Sequence, residues 1–519
     1  MIQTDVVPAQ AERVRARAVS VPVVLACGIF LVTVVRNAWL SDDAYITLRT
    51  IDNFVHGFGL RWNIAERVQA YTHPLWMFLL LPFYALTREP RVTTTLVSIG
   101  VSAAVAVALL RVAERPAPLV CLFTLLVGSK AFMEFCTGGL ENPLTHLLLV
   151  LFALAFWADR RDARGTFTLW AIAALLALNR VDALLIIAPA LALRMDDVRH
   201  RTPSIALALL PLVVWELFSF VYYGSLVPNT AYAKLSHGIA RRDVVHQGFV
   251  YLIDSVSHDP VTLLTIGASL PLVYWLGTRR DWTLTAGALL YLLYIVWIGG
   301  DFMSGRLLTP IFLASVLQIV RVGRDIRTAD WIAATVIAFL FALTPASPPL
   351  LARHEPATGE GGIEPTGIVD ERMWYFRYTG LLLETRNVPR PIPGTQSTAH
   401  LAREQGVRAT VKAAVGIYGY YAGPTIHIID AVGLTDPLLA RLPADPQSRV
   451  GHYTRRVPEG YLESVETGEN RLKDPLLAVF YDKIRIVSRG PISSGERFKT
   501  AVLMMVGRYD KYLRSVPGW

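Results

Sequence analysis

The stretch VPVVLACGIFLVTVVRNAWLSDDAYITLRT, residues 21–50, decides the kind of fold that this chain adopts. Residues 21–40 are almost wholly apolar and are long enough to cross a lipid bilayer as one helix. Two adjacent carboxylates, Asp42 and Asp43, follow at the point where that helix should leave the lipid. Because charged groups at membrane depth are costly, this pair is a candidate functional site.

Apolar segments of similar character recur along the first two thirds of the chain. Of the 519 residues, 53% are hydrophobic and 18% are charged, whereas about a quarter of the residues are charged in a typical soluble domain. This pattern predicts a polytopic, all-α membrane domain over residues 1–346. The predicted apolar segments are 20–39, 72–87, 92–111, 117–133, 143–158, 167–178, 183–194, 203–222, 261–277, 283–298, 306–321 and 330–346.

The polar connections between these segments predict how the chain lies in the membrane. Short basic loops, such as ADRRDARG and RVGRDIRTAD, are expected in the cytoplasm, because positively charged loops stay on that side. Loops that are rich in acids, amides and glycine, such as TGGLENP and IGGDFMSGR, are expected on the outer face. The net charge of +9 then reflects orientation, and no nucleic-acid partner is expected.

The basic N-terminus, with Arg13, Arg15 and Arg17, is typical of a signal anchor that precedes the first apolar segment. If the basic loops all lie in the cytoplasm and the loops rich in acids and amides all lie outside, one of the twelve apolar segments cannot cross the membrane. We expect that segment to be 117–133, as a re-entrant or interfacial element. About 11 transmembrane helices remain, and they place the C-terminal region outside the cytoplasm.

The character of the chain changes from about residue 347 onwards. A Pro- and Gly-rich linker is followed by sequence that is polar enough to be soluble. The stretches RATVKAAVGIYGYYAG and TIHIIDAVGL are typical of strands that end at glycines. Amphipathic helices are predicted in DERMWYFRYTGLLLE, DPLLAVFYDKI and SGERFKTAVLMMVGRYDKYL. Residues 347–519 are therefore predicted to form a linker and an extracytoplasmic α+β domain.

Ionisable groups cluster in the loops that we assign to the outer face. Each of them alone could be an interfacial residue, a helix cap or a snorkelling anchor, but as a set they favour a functional site. Carboxylates can act as general bases on a sugar hydroxyl, and arginines can bind a phosphate through two hydrogen bonds. A sugar on a polyprenyl phosphate suits such a face, because its lipid stays in the bilayer and its headgroup meets water. The set comprises Asp42, Asp43, Glu141, Asn142, Arg180, Asp182, Asp301 and Arg306.

Seven motifs in chain order carry a resemblance to a known family. The chain is similar to the terminal β-(1→2)-arabinofuranosyltransferases of mycobacteria and corynebacteria, relatives of which are also labelled as a flagellar motor control protein. The motifs are SDDAYITLRTIDNFVHGFGLRWN, ERVQAYTHPLW, TGGLENPLTHLLL, NRVDALL, YYGSLVPNTAYAKL, GGDFMSGRLLTP and YYAGPTIHIIDAVGLTDPLLARLP. The resemblance implies the GT-C architecture, a multi-pass protein of the plasma membrane whose active site faces outward. It also implies decaprenylphosphoryl arabinofuranose as donor and cell-wall arabinan as acceptor.

The resemblance also implies roles for individual residues. An acid in the first outer loop is the candidate base, which here means Asp43 or Asp42, and Asp43 is favoured. The resemblance, with the residue types, implies donor phosphate or sugar binding for Tyr45, Arg49, His73, Arg180, Asp182, Asn229, Lys234, Asp301 and Arg306, and an acceptor or lid role for Glu141, His427, Asp430 and Asp436. No obligatory metal or other cofactor is expected, although two acids could bind a divalent cation.

Other functions stay open on the sequence alone. A transporter or flippase for a lipid-linked sugar would also place polar residues and glycines among apolar helices. A GT-C enzyme that uses another polyprenyl-phosphate sugar would carry a similar set of residues. Clustering of the acids at one surface, and the lack of a twofold sequence repeat, favour the transferase over the transporter.

Overall fold

The computed structural model describes residues 20–345, 347–351, 365–382 and 393–514. The described part of the chain is mostly helical. The three N-terminal arginines and most of the predicted linker lie outside the described residues. The helices of the first part are α1 (Val21–Arg36), α2 (Asp42–Val55), α3 (Pro74–Thr87), α4 (Pro90–Leu109), α5 (Pro116–Gly128), α6 (Lys130–Glu134), α7 (Asn142–Ala158), α8 (Ala163–Asn179), α9 (Leu184–Ala192), α10 (Asp196–His200), α11 (Thr202–Tyr223), α12 (Asn229–Leu235), α13 (Arg241–His258), α14 (Pro260–Leu276), α15 (Asp281–Ile298), α16 (Thr309–Val322) and α17 (Thr328–Ala342).

Every apolar segment that the sequence predicts contains a helix, so the mostly helical, apolar character of this part is confirmed. Among the described residues, α4, α11, α15 and the helical segment Arg306–Asp325 are each long and apolar enough to cross a membrane. The pair α13 and α14 passes the same test together, although it is bent by 108°. The sequence analysis missed α13, because its sequence RRDVVHQGFVYLIDSVSH is largely polar. The number of 11 crossings stays a prediction.

The predicted segment 117–133 is divided into two helices rather than one. Helix α5 ends at Gly128, and α6 begins after Ser129, whose hydroxyl accepts a hydrogen bond from the Phe132 amide. The carboxylate of Asp259, next to α14, accepts a hydrogen bond from the Ala131 amide at 2.9 Å and thereby fixes the break. That this segment does not cross the membrane stays a prediction.

The C-terminal part combines short helices with one small sheet. It contains α18 (Glu371–Thr379), α19 (Pro393–Glu404), β1 (Ala409–Lys412), α20 (Gly416–Ala422), β2 (His427–Asp430), α21 (Tyr461–Thr467), α22 (Pro475–Arg489) and α23 (Gly495–Met505). The two strands pair in parallel, with Ala409 opposite His427. The sequence placed these strands and the helices α18, α22 and α23 correctly. It was wrong for the stretch GIYGYYA, which forms α20 instead of continuing the strand.

The C-terminal part shares a hydrophobic core with the first helices. Ile46 of α2 and Trp62 are buried in one cluster with Tyr418 of α20 and Ile428 of β2. A contact of this kind removes apolar surface of both parts from water, which stabilises their association. The C-terminal part is therefore docked directly against α2, although its boundary as a separate domain stays a prediction.

Helices α9 and α15 approach each other closely at a glycine. A Cβ atom at Gly287 would lie 1.8 Å from the carbonyl oxygen of Ile186, so no side chain fits there. We predict that Gly287→Ala destabilises the protein by about 1–3 kcal/mol, because the two helices must move apart. Gly267→Ala in α14 is the matched control, since no atom lies within 4 Å of a Cβ there. Thermal unfolding of both purified variants in detergent tests this, and equal melting temperatures would contradict it.

Candidate active site

The buried carboxylate of Glu141 is the centre of a cluster of charged side chains. Glu141 immediately precedes α7 and is 2% exposed. Its Oε1 lies 3.2 Å from an Nη atom of Arg180 and 3.2 Å from one of Arg306. Its Oε2 lies 3.3 Å from Nδ1 of His73. A carboxylate that is this deeply buried needs such partners, because removing it from water is costly.

The TGGLENP loop reaches this position through a glycine. Gly139 has a φ of +78°, and a Cβ atom there would lie 2.6 Å from the Cβ of Ala44 in α2. Both the backbone conformation and the close approach to α2 require glycine. The loop can therefore bring Glu141 close to the start of α2, where Asp43 lies.

Arg180 is held in a fixed orientation by its other neighbours. Its Nε donates to Oδ1 of Asp182 at 3.0 Å, and one of its Nη atoms donates to the Tyr291 hydroxyl at 3.2 Å. The Tyr291 hydroxyl in turn donates to Oδ2 of Asp182 at 3.1 Å. The guanidinium of Arg180 is therefore bound by Asp182, Tyr291 and Glu141 together, and it has little freedom to turn towards a ligand.

Asp301, Arg306 and Lys234 form the more open side of the cluster. An Nη atom of Arg306 lies 3.4 Å from Oδ2 of Asp301, and Nζ of Lys234 lies 4.0 Å from its Oδ1. Nε of Arg306 is buried and has no hydrogen-bond partner among the described residues. The side chain of Lys234 is 34% exposed, so this cation has room to contact a ligand.

Asp43 faces this cluster from the first turn of α2. The helix begins after Ser41, whose hydroxyl accepts a hydrogen bond from the Ala44 amide. Asp43 is partly exposed and lies within electrostatic range of Arg306, Lys234, Asp301 and Glu141. Burial raises the pKa of Asp43, while Arg306 and Lys234 act to lower it. None of the described residues donates a hydrogen bond to its carboxylate, which is therefore available to a substrate.

Asp42 points in a different direction, because adjacent residues on a helix diverge by about 100°. Its carboxylate accepts hydrogen bonds from the amides of Gly416 at 2.9 Å and Ile417 at 2.8 Å, at the start of α20. Burial raises the pKa of Asp42 to about 6, although the two amides act to lower it. We therefore assign Asp42 to the docking of α20 and leave Asp43 as the candidate catalytic acid.

The expected phosphate role of Arg49 is contradicted by its contacts. The Arg49 side chain is 2% exposed and stacks over the ring of Trp62 at 4.3 Å. Its three nitrogen atoms donate to the carbonyl oxygens of Trp62, Gly419 and Ile426, each at 2.9 Å. Each of its three nitrogen atoms is thus used in a hydrogen bond to the backbone, and two of these bonds join α2 to the C-terminal part. Tyr45 also lies outside the cluster and packs against Tyr420 and Tyr421.

Asn229, which we expected to bind sugar, instead supports the backbone of the C-terminal part. Its Nδ2 donates to the carbonyl oxygens of Gly433, Leu434 and Asp436. Its side-chain amide is therefore occupied by protein atoms. This leaves no basis for a sugar contact at this position.

Asp430 and Asp436 shape the turn that follows β2 rather than a lid. Asp430 accepts hydrogen bonds from the amides of Val432 and Thr435, each at 2.9 Å. Asp436 accepts from the amides of Leu438 and Leu439 and from the Tyr461 hydroxyl. Both carboxylates are fully buried, which argues against the acceptor or lid role that was expected.

His427 belongs to a second buried group, away from Glu141. Its Nε2 lies 3.2 Å from Nδ2 of Asn63 and 3.6 Å from Oε1 of Glu66. Glu66 also pairs with Arg489 of α22 at 3.4 Å. These contacts connect the loop after α2 to the C-terminal part, so the expected lid role of His427 has no support from its position.

Glu371 faces the site, and the sequence analysis missed it. This residue begins α18, is partly exposed, and lies within electrostatic range of Asp43, Asp42 and Asp301. Burial raises its pKa well above the ordinary value, and Asp43 raises it further. The only available signal was an acid at the start of an amphipathic helix, and that feature is common on soluble surfaces.

Helix α18 is fixed in place at both ends. Before it, the amide of Val369 donates to the carbonyl oxygen of Phe302, and Asp370 pairs with Lys130 at 2.6 Å. At its end, the Thr379 hydroxyl donates to the carbonyl oxygen of Leu40 at 2.8 Å. The helix therefore bridges the Asp301 loop and the residues just before Asp43, and Glu371 has a defined position over the cluster.

Of the predicted site residues, the structure brings one group together around Glu141. Its members are Asp43, His73, Glu141, Arg180, Asp182, Lys234, Asp301 and Arg306. Across the described ranges, no group of three or more His, Cys, Asp or Glu side chains has an arrangement that could hold a metal ion. The expectation of no obligatory metal or cofactor stays a prediction.

Comparison with known proteins supplies two relatives. Over 524 aligned positions, the chain is 27% identical to the terminal β-(1→2)-arabinofuranosyltransferase of Mycobacterium tuberculosis, and 82% of each chain is covered. Over 513 positions it is 26% identical to the Corynebacterium glutamicum protein of the same name, covering 80% of this chain and 72% of the relative. No family model and no solved structure matches the chain. The resemblance that the motifs predicted is confirmed.

We predict that Glu141→Gln destabilises the protein strongly, by about 3–5 kcal/mol, because it leaves the buried cations Arg180 and Arg306 without their shared partner. Asp330→Asn is the matched control, since Asp330 pairs with Arg327 on an exposed surface and its loss should change little. Melting temperatures of both variants in detergent test this. A melting temperature for Glu141→Gln as high as that of the control would contradict the central role of Glu141.

Proposed function

We propose that this chain is a membrane glycosyltransferase that transfers an arabinofuranosyl residue from decaprenylphosphoryl arabinofuranose to cell-wall arabinan at the outer face of the plasma membrane. Both relatives carry the name of an arabinofuranosyltransferase, which confirms the predicted transferase class. The donor, the acceptor and the outer-face location are parts of the proposal. They are supported by the seven sequence motifs and by the charged cluster around Glu141.

The observation that carries the mechanism is the contrast between Asp42 and Asp43. Asp42 uses its carboxylate to hold two amides of α20, whereas no described residue donates a hydrogen bond to Asp43. Asp43 therefore has a free carboxylate within electrostatic range of two cations, Arg306 and Lys234. A carboxylate that acts as a base or nucleophile must be free, and a phosphate that leaves next to it is stabilised by cations.

In the proposed reaction, a hydroxyl oxygen of the acceptor forms a bond to the anomeric carbon of the donor sugar. The bond between that carbon and the phosphate oxygen breaks, and decaprenyl phosphate leaves with both electrons. The proton of the hydroxyl passes to Asp43. Atoms and charge balance without an oxidant, a reductant or a nucleotide.

Arg306 and Lys234 are the proposed contacts of the donor phosphate. Within the described ranges, the buried Nε donor of Arg306 has no partner, and the partly exposed Lys234 forms one ion pair, with Asp301 at 4.0 Å. A phosphate oxygen would satisfy the Arg306 donor and would be stabilised as charge develops on the leaving group. Arg180 is assigned to positioning, because Asp182, Tyr291 and Glu141 already occupy its guanidinium.

Glu371 provides a second carboxylate on the open side of Asp43. A single displacement inverts the configuration at the anomeric carbon, whereas retention through a covalent intermediate requires both a nucleophile and an acid–base group. Asp42 cannot serve as that second group while it holds α20. The pair Asp43 and Glu371 is therefore the one that could support either stereochemical course.

The decisive experiment compares Asp43→Asn with Asp42→Asn in a single-turnover assay that follows release of decaprenyl phosphate. We expect Asp43→Asn to reduce release by at least about a hundredfold, because the base is lost, with an unchanged melting temperature. We expect Asp42→Asn to lower the melting temperature while the folded fraction retains transfer. Near-normal release by Asp43→Asn would refute the assignment of the base. Movement of the donor across vesicles without its consumption would instead identify a flippase.

The raised pKa of Asp43 predicts a pH dependence. The base must be deprotonated, so kcat/KM should fall as the pH decreases through a pKa that lies above that of an ordinary aspartate. Arg306 lowers this pKa, and Arg306→Ala should therefore move the acidic limb to higher pH in addition to reducing the rate. Arg306→Lys, which keeps the charge, is the control and should show a smaller shift. Identical limbs in the three proteins would contradict the electrostatic influence of Arg306 on Asp43.

A further inference from the structure

A second polar cleft lies between the end of α11, the short helix α12 and the C-terminal helices α22 and α23. It holds about 490 Å³ of space, part of it open to solvent. The proposed mechanism uses none of the residues that line it. Its polar lining includes Arg67, Gln69, Tyr223, Ser225, Tyr232 and Arg441.

Arg67 is the feature of this cleft that needs an explanation. The residue is 7% exposed, and its buried Nε atom has no hydrogen-bond partner among the residues that the structure describes. One of its Nη atoms donates to the carbonyl oxygen of Gly490. No carboxylate in the described part of the chain forms an ion pair with it, since the preceding residue, Glu66, pairs with His427 and Arg489. A buried cation in this situation is costly unless an anion binds beside it.

The surroundings of Arg67 add positive charge rather than neutralise it. Arg61 and Arg497 both lie within electrostatic range of Arg67. Arg497 donates only to backbone carbonyl oxygens, among them those of Val487 and Tyr222. Arg67 therefore lies near further cations, Arg61 and Arg497, whose own hydrogen-bond partners are neutral groups.

Arg441 adds a second guanidinium to the cleft wall. It stacks over the ring of Tyr232 at 4.0 Å and donates to the carbonyl oxygen of Pro437 at 2.8 Å. Asp436 and Asp510 lie within electrostatic range of it, but Asp436 is already bound to the Tyr461 hydroxyl and to two amides. Arg441 also donates to Oδ1 of Asn229 at 3.3 Å, and among the described residues no carboxylate forms an ion pair with it, so it can help to hold an anion in the cleft.

The rim of the cleft is apolar. Leu226 and Val227 are 51% and 43% exposed, and Val506, next to the lining residue Met505, is 69% exposed. These side chains continue the exposed apolar surface of α11, which is one of the helices long enough to cross a membrane. Arginines below an apolar rim at the end of such a helix suit a lipid headgroup better than a freely soluble anion.

We propose that this cleft binds a phosphate ester, and that the ester is the headgroup of an anionic membrane lipid. The phosphate lies against Arg67 and Arg441, and the acyl chains lie along the exposed apolar surface of α11. Helix α12 runs from this cleft to the candidate active site, because Tyr232 lines the cleft and Lys234 lies 4.0 Å from Asp301. The site is separate from the proposed donor site around Asp43.

Thermal stabilisation of the delipidated, full-length protein tests this proposal. The probes are dioleoyl phosphatidylglycerol, dioleoylglycerol, which has the same chains without the phosphate, and inorganic phosphate. We expect phosphatidylglycerol to raise the melting temperature in a saturable manner and dioleoylglycerol to leave it unchanged. Stabilisation by inorganic phosphate that exceeds the lipid effect would support the phosphate site and assign it to a soluble anion.

Two variants and one control give the test its specificity. Arg67→Gln removes the unpaired charge, and Ser225→Asp places a carboxylate in the partly exposed cleft wall. Each should weaken the response to phosphatidylglycerol roughly tenfold or more, as expected for a lost charge-assisted contact. Arg242→Gln, at a side chain that is 94% exposed on α13, should respond like the parent protein. An unchanged response in both cleft variants, equal stabilisation by dioleoylglycerol, or no response to either phosphate compound would overturn the proposal.

Discussion

The buried carboxylate of Glu141 is the constraint on which the rest of the site depends. It stands in the interior with almost no contact with water, and it is stable there only because His73, Arg180 and Arg306 come from three distant parts of the chain to meet it. Arg180 and Arg306 would each be costly to bury without the carboxylate. The ends of α3, α8 and α16, next to which the three residues lie, are therefore fixed around Glu141 by polar contacts as well as by apolar packing.

The two aspartates at the start of α2 have different roles: Asp42 supports the fold, and Asp43 is the candidate base. Because neighbouring residues on a helix point in different directions, Asp42 binds the amides of α20, whereas Asp43 lies within electrostatic range of the cations of the cluster. The docking of the C-terminal part thus fixes the helix that presents the candidate base.

The sequence was informative about the site where polar residues interrupt apolar segments. Glu141, Arg180, Asp301 and Arg306 were all selected on that ground, and they do lie together. It was uninformative about what a buried arginine binds, because a guanidinium that holds carbonyl oxygens, such as that of Arg49, has the same sequence signature as one that holds a phosphate.

The sequence was equally uninformative about carboxylates in the C-terminal part. Asp430 and Asp436 were expected in an acceptor or lid site, but they accept hydrogen bonds from the backbone of a turn, and the sequence does not distinguish these two roles. Glu371 was missed because its proximity to Asp43 arises from contacts such as that between Leu40 and Thr379, which are 339 residues apart. This separation also has a consequence for biosynthesis. The ribosome makes Asp43 long before α18, so a chain that has been translated only as far as residue 370 already contains the candidate base but lacks the helix that carries Glu371.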